Sequence, residues 1–318
     1  DAGKRADHDA DSWPDPEANG WPDPDVVVRF GASPTSKTLR QFLRDADARQ
    51  FVVDPAGEWR EATFTATDLV VADPTELARS LADRVTPGDP AWRERFAAAE
   101  AAHWTVAREG HDEQFFEGTV AATVADSLPG PATLYVSNSM PVRDLDRFAR
   151  PRGADLTVLG NRGASGIDGV TSSALGAASG VEEPLALLIG DLAYYHDMNG
   201  LLAVGRCDVD ATVVLVNNDG GGIFHKLPIE EFDPPFTEQF RTPHGLDFAP
   251  TADLYDLEFE RVDDRARLAA AVADSAGAPG TQVIEAQFDA ERSHRFREEL
   301  GERVRKRVRE QVRESRRD

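Results

Sequence analysis

Short apolar runs punctuate the second half of the chain. TLYVSNS (133–139), DLTVLGN (155–161), PLALLIGD (184–191), ATVVLVNND (211–219) and TQVIEAQF (281–288) are separated by segments of helical composition. Apolar runs of this length read as strands buried on both faces. Strands alternating with helices imply right-handed crossovers and a doubly wound, mostly parallel α/β sheet. Such sheets bind ligands beyond the carboxyl ends of their strands. Three of these runs end in residues suited to that work: Ser139, Asp191, and Asn217 with Asn218.

The first half is less regular. VVVRFG (26–31) reads as a buried strand, and SPTSKTLRQFLRDA (33–46) as a helix capped by Thr35 or Ser36, with Leu39, Phe42 and Leu43 on one face. FVVD (51–54) and DLVVAD (68–73) predict two more strands, and PTELARSLADRV (74–85) a helix with proline in its first turn. An alanine-rich helical stretch follows from Pro90 to about Leu128, where LPGPA breaks it. The pattern therefore divides into a segment 1–25, a small α/β domain over 26–120 and a larger one over 121–318, with the boundary within 110–130. Residues 1–25 hold two copies of Trp-Pro-Asp-Pro and read as an acidic, proline-rich linker. At the other end, Leu300, Val304, Val308 and Val312 form one narrow apolar stripe on an arginine-rich helix, the mark of a docked C-terminal helix.

Charge narrows the possible partners. The formal net charge is −22, which argues against nucleic-acid binding, since that needs cations to replace counterions. Lys4, Lys37, Lys226 and Lys306 are the only lysines. A carboxylate-rich, lysine-poor surface fits a halophile's cytoplasm, where salt screens self-repulsion. Cys207 is the single cysteine, which fits a reducing compartment. No run of 18 apolar residues suggests a membrane span, and the histidines lack zinc-ligand spacing.

The chemistry concentrates in Gly190-Asp191 at one strand end and Asn217-Asn218 at the next, followed by Asp219 and three glycines. Magnesium wants six oxygens and takes few of them from protein when phosphates are present. A carboxylate from Asp191, an amide oxygen from Asn218 and the backbone carbonyl of Gly220 would supply three. The glycines allow the backbone to approach a diphosphate. Each half of this pattern is weak alone, because GD at a strand end and NNDGG in a turn are both common. Together on consecutive strands they are moderately specific.

GD followed by NN after a little under thirty residues resembles the diphosphate-binding motif of thiamine diphosphate enzymes. SNSMPVRDLDRF (137–148), NRGASGIDGVTSSALGAA (161–178), GDLAYYHDMNGLLA (190–203), NNDGGGIFHKLP (217–228) and FRTPHGLDFAP (240–250) narrow the match. They resemble the 2-succinyl-5-enolpyruvyl-6-hydroxy-3-cyclohexene-1-carboxylate synthases of menaquinone biosynthesis. FGASPTSKTL (30–39) is similar to that family's middle-domain substrate loop.

The resemblance implies a thiamine diphosphate-binding fold, with the diphosphate-binding domain preceded by part of a middle domain. It implies decarboxylation of 2-oxoglutarate and conjugate addition of the resulting four-carbon unit to isochorismate, with Mg2+ or Mn2+ as the ion. It places Ser139, Arg143 and Arg162 in catalysis, and these three with Lys37, Ile223, Phe224 and Leu227 against the anionic substrates. Ser165, Gly166, Ile167, Gly190, Asp191, Leu192, Asn218, Gly220, Gly221, Ile223 and Phe224 are placed against the cofactor, with Ile167 propping its bent shape. Thr38 departs from the family, which commonly carries a second basic residue there. His196 and His244 receive no role. The family also needs a glutamate from a pyrimidine-binding domain that these residues do not include, and it builds its site between subunits. The chain is therefore expected to be a fragment of a homo-oligomeric synthase. The competing expectations are another thiamine diphosphate 2-oxoacid decarboxylase or acetolactate-type synthase, and an inactive binding or scaffold remnant.

Overall fold

The computed structural model describes residues 24–34, 36–162 and 166–314. The first Trp-Pro-Asp-Pro copy and all but Pro24 of the second, together with Thr35, Ser165 and the side chain of Val312, lie outside the described residues. The chain divides into two compact units, one of residues up to Ala102 together with those from Lys306, the other His103–Arg305.

The first unit holds a three-stranded parallel sheet, β1 (Val26–Phe30), β2 (Arg49–Val53) and β3 (Asp68–Val70), in that order. Ser36 caps the helix Lys37–Asp45 by accepting the Leu39 N–H, and Asp73 caps Pro74–Ala82 by accepting from Thr75 and Glu76. Each cap satisfies backbone donors that the first helical turn leaves unpaired. The expectation that β1 is buried does not hold. It is an edge strand, and its alternate residues Val26, Val28 and Phe30 are exposed.

The second unit carries six parallel strands: β4 (Ala132–Val136), β5 (Leu156–Leu159), β6 (Leu185–Gly190), β7 (Ala211–Asn217), β8 (Glu258–Val262) and β9 (Thr281–Gln287). They are ordered β5-β4-β6-β7-β9-β8. The unbroken apolar runs follow from burial on both faces. Leu134, Val136, Leu188, Val214 and Ile284 belong to one core cluster, while their neighbours Tyr135, Leu187, Ile189, Val213, Leu215 and Val283 belong to another. Each such side chain contributes about 1.5–3 kcal/mol by leaving water. Two strands depart from the reading. β5 lies at an edge and leaves Val158 and Leu159 exposed. β8 has no counterpart among the predicted strands, because EFERV alternates charged and apolar residues at the opposite edge.

The topology positions the site. From β4 the chain steps outward to β5 and then returns to β6 on the other side of β4. That reversal opens a crevice at the carboxyl ends of β4 and β6, where sheets of this class bind ligands. The single helical stretch predicted over 90–128 is two helices, Pro90–Glu113 and Glu117–Ser127. Phe116 between them is fully buried, in extended conformation, against Phe148 and Phe296. Phe296 and Leu300, on the C-terminal helix Ala290–Glu314, pack with Val106, Ala107, Phe116 and Phe148, so this part of the helix is docked on its own unit. Among the described residues no helix is long and apolar enough to cross a membrane.

Candidate functional site

A cavity of about 450 Å³ opens at the crevice, within the usual range for small-molecule sites. Its lining joins the ends of β4, β6 and β7: Ser139, Arg143, Arg162, Gly166 and Ile167 on one side, Gly190, Asp191, Leu192, Asn218 and Gly220 to Phe224 on the other. Most of the residues singled out from the sequence are thus brought together. Ser165 lies outside the described residues. Leu227 follows at the end of the short 3₁₀ turn Gly222–Lys226 and is largely exposed. Lys37 begins the helix Lys37–Asp45 of the other unit.

Asp191 begins the helix that follows β6 and is 3% exposed. Its Oδ1 accepts the Leu192 N–H at 2.7 Å. Its Oδ2 faces three donors: Gly220 N at 2.9 Å, Asn218 N at 3.2 Å and His244 Nε2 at 3.1 Å. Burial pushes the Asp191 carboxyl up from its ordinary range, and the hydrogen bonds from Gly220, His244 and Leu192 oppose that shift. His244 Nδ1 accepts the Leu246 N–H at 3.0 Å, so the ring proton sits on Nε2, directed at Asp191. Asn218 donates its Nδ2 to Glu117 Oε1 at 3.3 Å, which leaves Oδ1 as the side-chain oxygen available to a cation.

The glycine turn after Asn218 is dictated by close packing. Gly220 has φ 134°, and a Cβ there would collide with the carbonyl oxygen of Arg241. A Cβ on Gly222 would come within 2.6 Å of Asn218 Nδ2. Asp219 fastens the loop over this turn, its Oδ1 accepting His244 N at 2.9 Å and Gly245 N at 2.7 Å. Burial alone would raise the Asp219 carboxyl, but these two backbone donors hold it below its ordinary value.

This donor set fits a hard divalent cation. Asp191 gives one carboxylate, while Asn218 and Gly220 give neutral oxygens. Among the described residues no three His, Cys, Asp or Glu side chains form a metal-holding group. A cation here would therefore complete its shell with oxygens from a bound phosphate, as magnesium does.

The opposite wall carries two arginines, Arg143 and Arg162. Ser139 precedes the helix Met140–Phe148 with φ 71° and ψ −132°, a conformation that a residue with a Cβ adopts only under constraint. Its carbonyl accepts Arg143 Nη1 at 2.6 Å, which holds that guanidinium at the cavity. Arg162 donates to Asn138 Oδ1 at 2.9 Å, and Asn138 Nδ2 donates to Gly166 O at 3.3 Å, so the end of β4 is laced to the loop after β5. Ile167 lines the cavity yet is 39% exposed, an apolar side chain left facing open space. Phe224, edge-to-face with Phe240, adds an aromatic surface.

Residues around the site that escaped sequence reasoning include Asn138, Glu117, Asp144, His244 and Arg297. Arg297, on the C-terminal helix, is 7% exposed and pairs with both Asp144 oxygens at 2.9 and 2.6 Å and with Glu117 Oε2 at 3.2 Å. Burial opposes its charge, but Asp144 and Glu117 outweigh that and hold its pKa above the usual arginine value. Asp144 sits inside SNSMPVRDLDRF beside Arg143, which was the one available signal. Arg297 is one of many arginines on a charged helix, and nothing in the sequence marks it out.

Comparison with known proteins bears on this geometry. Residues 146–286 match the family model described as thiamine pyrophosphate enzyme, C-terminal TPP binding domain. The chain is 63% identical to the 2-succinyl-5-enolpyruvyl-6-hydroxy-3-cyclohexene-1-carboxylate synthase of Haloarcula marismortui over 281 residues, 88% of this chain and 47% of that protein. It is 62% identical to the synthase of the same name from Halobacterium salinarum over 280 residues, 88% of this chain and 48% of that protein. A third, from Roseiflexus castenholzii, is 48% identical over 269 residues, 84% of this chain and 46% of that protein. The chain spans about half the length of the curated relatives it matches. The resemblance carried by the motifs is therefore borne out, and the six-stranded unit has the thiamine diphosphate-binding fold.

Proposed function

We propose that this chain supplies the cation- and diphosphate-binding part of a thiamine diphosphate synthase that decarboxylates 2-oxoglutarate and joins the four-carbon unit to isochorismate. One observation carries the reading: Asp191, Asn218 and Gly220 converge at one end of a cavity whose other wall presents Ser139, Arg143 and Arg162. When bound, the cofactor supplies the electron sink for decarboxylation. The chain's own residues bind and orient. Asp191, Asn218 and the Gly220 carbonyl hold Mg2+ (Mn2+ meets the same donor set), and the glycine turn lets backbone N–H groups reach the diphosphate. Ile167, Ile223 and Phe224 give the cofactor rings an apolar seat that excludes water.

Both substrates carry carboxylates in an acidic protein, so fixed positive charge is needed where they bind. Arg143 and Arg162 answer that need, with geometry suited to bidentate contact. Ser139 is held where its hydroxyl can donate to a substrate oxygen. Lys37 belongs to the same proposal as a substrate contact, and Leu227 as apolar lining. The proposal also includes a glutamate-bearing pyrimidine-binding domain outside these residues, assembly as a homo-oligomer with the site between subunits, and a cytoplasmic setting. Division into a linker (1–25), a partial middle domain (26–120) and a diphosphate-binding domain (121–318) goes with it.

The test is turnover in the full-length protein at high salt. The reading predicts 2-oxoglutarate decarboxylation that depends on thiamine diphosphate and a divalent cation, with product carbon recovered in the isochorismate adduct. Decarboxylation of pyruvate in place of 2-oxoglutarate, with no reaction of isochorismate, would reject it in favour of an acetolactate-type enzyme.

A further inference from the structure

The cavity floor contains a group that the proposed chemistry does not use. Glu117 stands in the first turn of the helix Glu117–Ser127, is 2% exposed and lines the cavity. Burying a carboxylate is costly, and a second one, Asp144, lies beside the same arginine. Glu117 and Asp144 thus both face the buried Arg297 guanidinium beside the cavity. Packing alone would be served better by an apolar side chain of the same volume.

What Glu117 touches gives it a task. Its Oε1 accepts from Asn218 Nδ2 at 3.3 Å, and its Oε2 faces Arg297 at 3.2 Å without a hydrogen bond. An ionised carboxylate only accepts, so it fixes which end of the Asn218 amide faces it. The NH2 must turn toward Glu117, and Oδ1 must turn away. Gly222 packs against the same NH2 end of the amide, where a Cβ would come within 2.6 Å of Nδ2. Arg297, gripped by both oxygens of Asp144, in turn fixes the Glu117 carboxylate from the C-terminal helix.

We propose that Glu117 is a positioning residue that holds the Asn218 side-chain oxygen toward the bound cation, with Arg297 as its anchor. The inference rests on the cation site proposed above. It also assigns a task to the arginine-rich C-terminal helix: one arginine of that helix reaches the cavity floor through Glu117. Partners that orient metal ligands in this way are typically worth about 10–100-fold in metal affinity.

The experiment is a titration of Mg2+ into the full-length protein at saturating thiamine diphosphate and high salt, followed by calorimetry, with melting temperature recorded for each variant. Glu117→Gln keeps the volume and one acceptor oxygen in reach of Asn218, and replaces the other oxygen with an NH2. Glu117→Met keeps the volume and removes the acceptor. The inference predicts that Glu117→Gln stays within about threefold of the native Mg2+ affinity and that Glu117→Met loses about tenfold or more. It further predicts that Glu117→Met adds less than about twofold to the loss in an Asn218→Ala background, since its effect runs through that amide. Should the methionine variant not fold, Glu117→Asp, which withdraws the oxygen by one methylene, is expected to show the same loss. Equal affinity in all Glu117 variants would overturn the inference, as would a full tenfold loss persisting without the Asn218 side chain. A native protein that binds thiamine diphosphate without any Mg2+ dependence would instead overturn the cation site itself.

Discussion

The two walls of the cavity are built differently. The Asp191–Asn218 side is buried and tightly held: three backbone N–H groups and the His244 ring converge on one carboxylate, and two glycines close the turn by direct packing. The Ser139–Arg143–Arg162 side is more open, with both guanidiniums on exposed residues, each held by a single oxygen of the end of β4. The first wall is preorganised, as the proposed cation site requires. The second keeps its two guanidiniums at an accessible mouth, where the proposed anionic substrates would meet them. Substitutions on the first wall should therefore abolish cofactor binding or unfold the turn, and those on the second should tune substrate use.

The largest effect is expected from Asp191→Ala, which removes the one carboxylate of the proposed cation site. Mg2+-dependent binding of thiamine diphosphate should fall by well over about a hundredfold, beyond what loss of an orienting partner costs. Retained affinity in calorimetry would break the contrast at its root. Next comes Gly220→Ala, which forces a Cβ against the Arg241 carbonyl at φ 134°. Strain of this kind costs about 1–3 kcal/mol, readable as a lowered denaturation midpoint, together with weaker cofactor binding.

On the open wall, Arg162→Ala should raise KM for the carboxylate substrates by about 10–100-fold, the worth of one charge-assisted hydrogen bond, while cofactor affinity stays unchanged. A matching loss of cofactor affinity would show that the walls are not separable. The smallest effect concerns acid stability. Burial is the chief cause that lowers the pKa of His111 below its ordinary 6.5, and His294 is lowered the same way. Both therefore bind a proton less readily in the fold than in the unfolded chain. The stability they protect is fully present above pH 6.5 and is lost as pH falls through that value toward their depressed folded values. Melting curves across this range should show the decline, and His111→Gln should flatten it.

How much of this was legible in the chain depended on whether the chemistry was local. β6 and β7 were readable because their residues are buried on both faces and so form unbroken apolar runs. Gly190-Asp191 and Asn217-Asn218 were readable because each pair sits at a strand end, where the ligand crevice falls. β8 was not, since an edge strand written EFERV carries no such run. β1 and β5 were readable as strands but not as edges, because the order of strands in a sheet is a tertiary fact. Glu117, Asp144 and Arg297 meet from three helices far apart in sequence, and a buried arginine among exposed ones has no local signature. His244 becomes meaningful only when its loop folds back onto the Asn218 turn.

The central claim is that one end of the cavity binds a diphosphate through a cation held by Asp191, Asn218 and Gly220. Calorimetric titration of thiamine diphosphate into the protein at high salt, with Mg2+ and with a chelator, tests it most directly. Binding with Mg2+ that disappears with the chelator, and disappears with Mg2+ in Asp191→Ala, is the predicted result. Equal binding in both conditions, or no binding in a folded full-length sample, would contradict it.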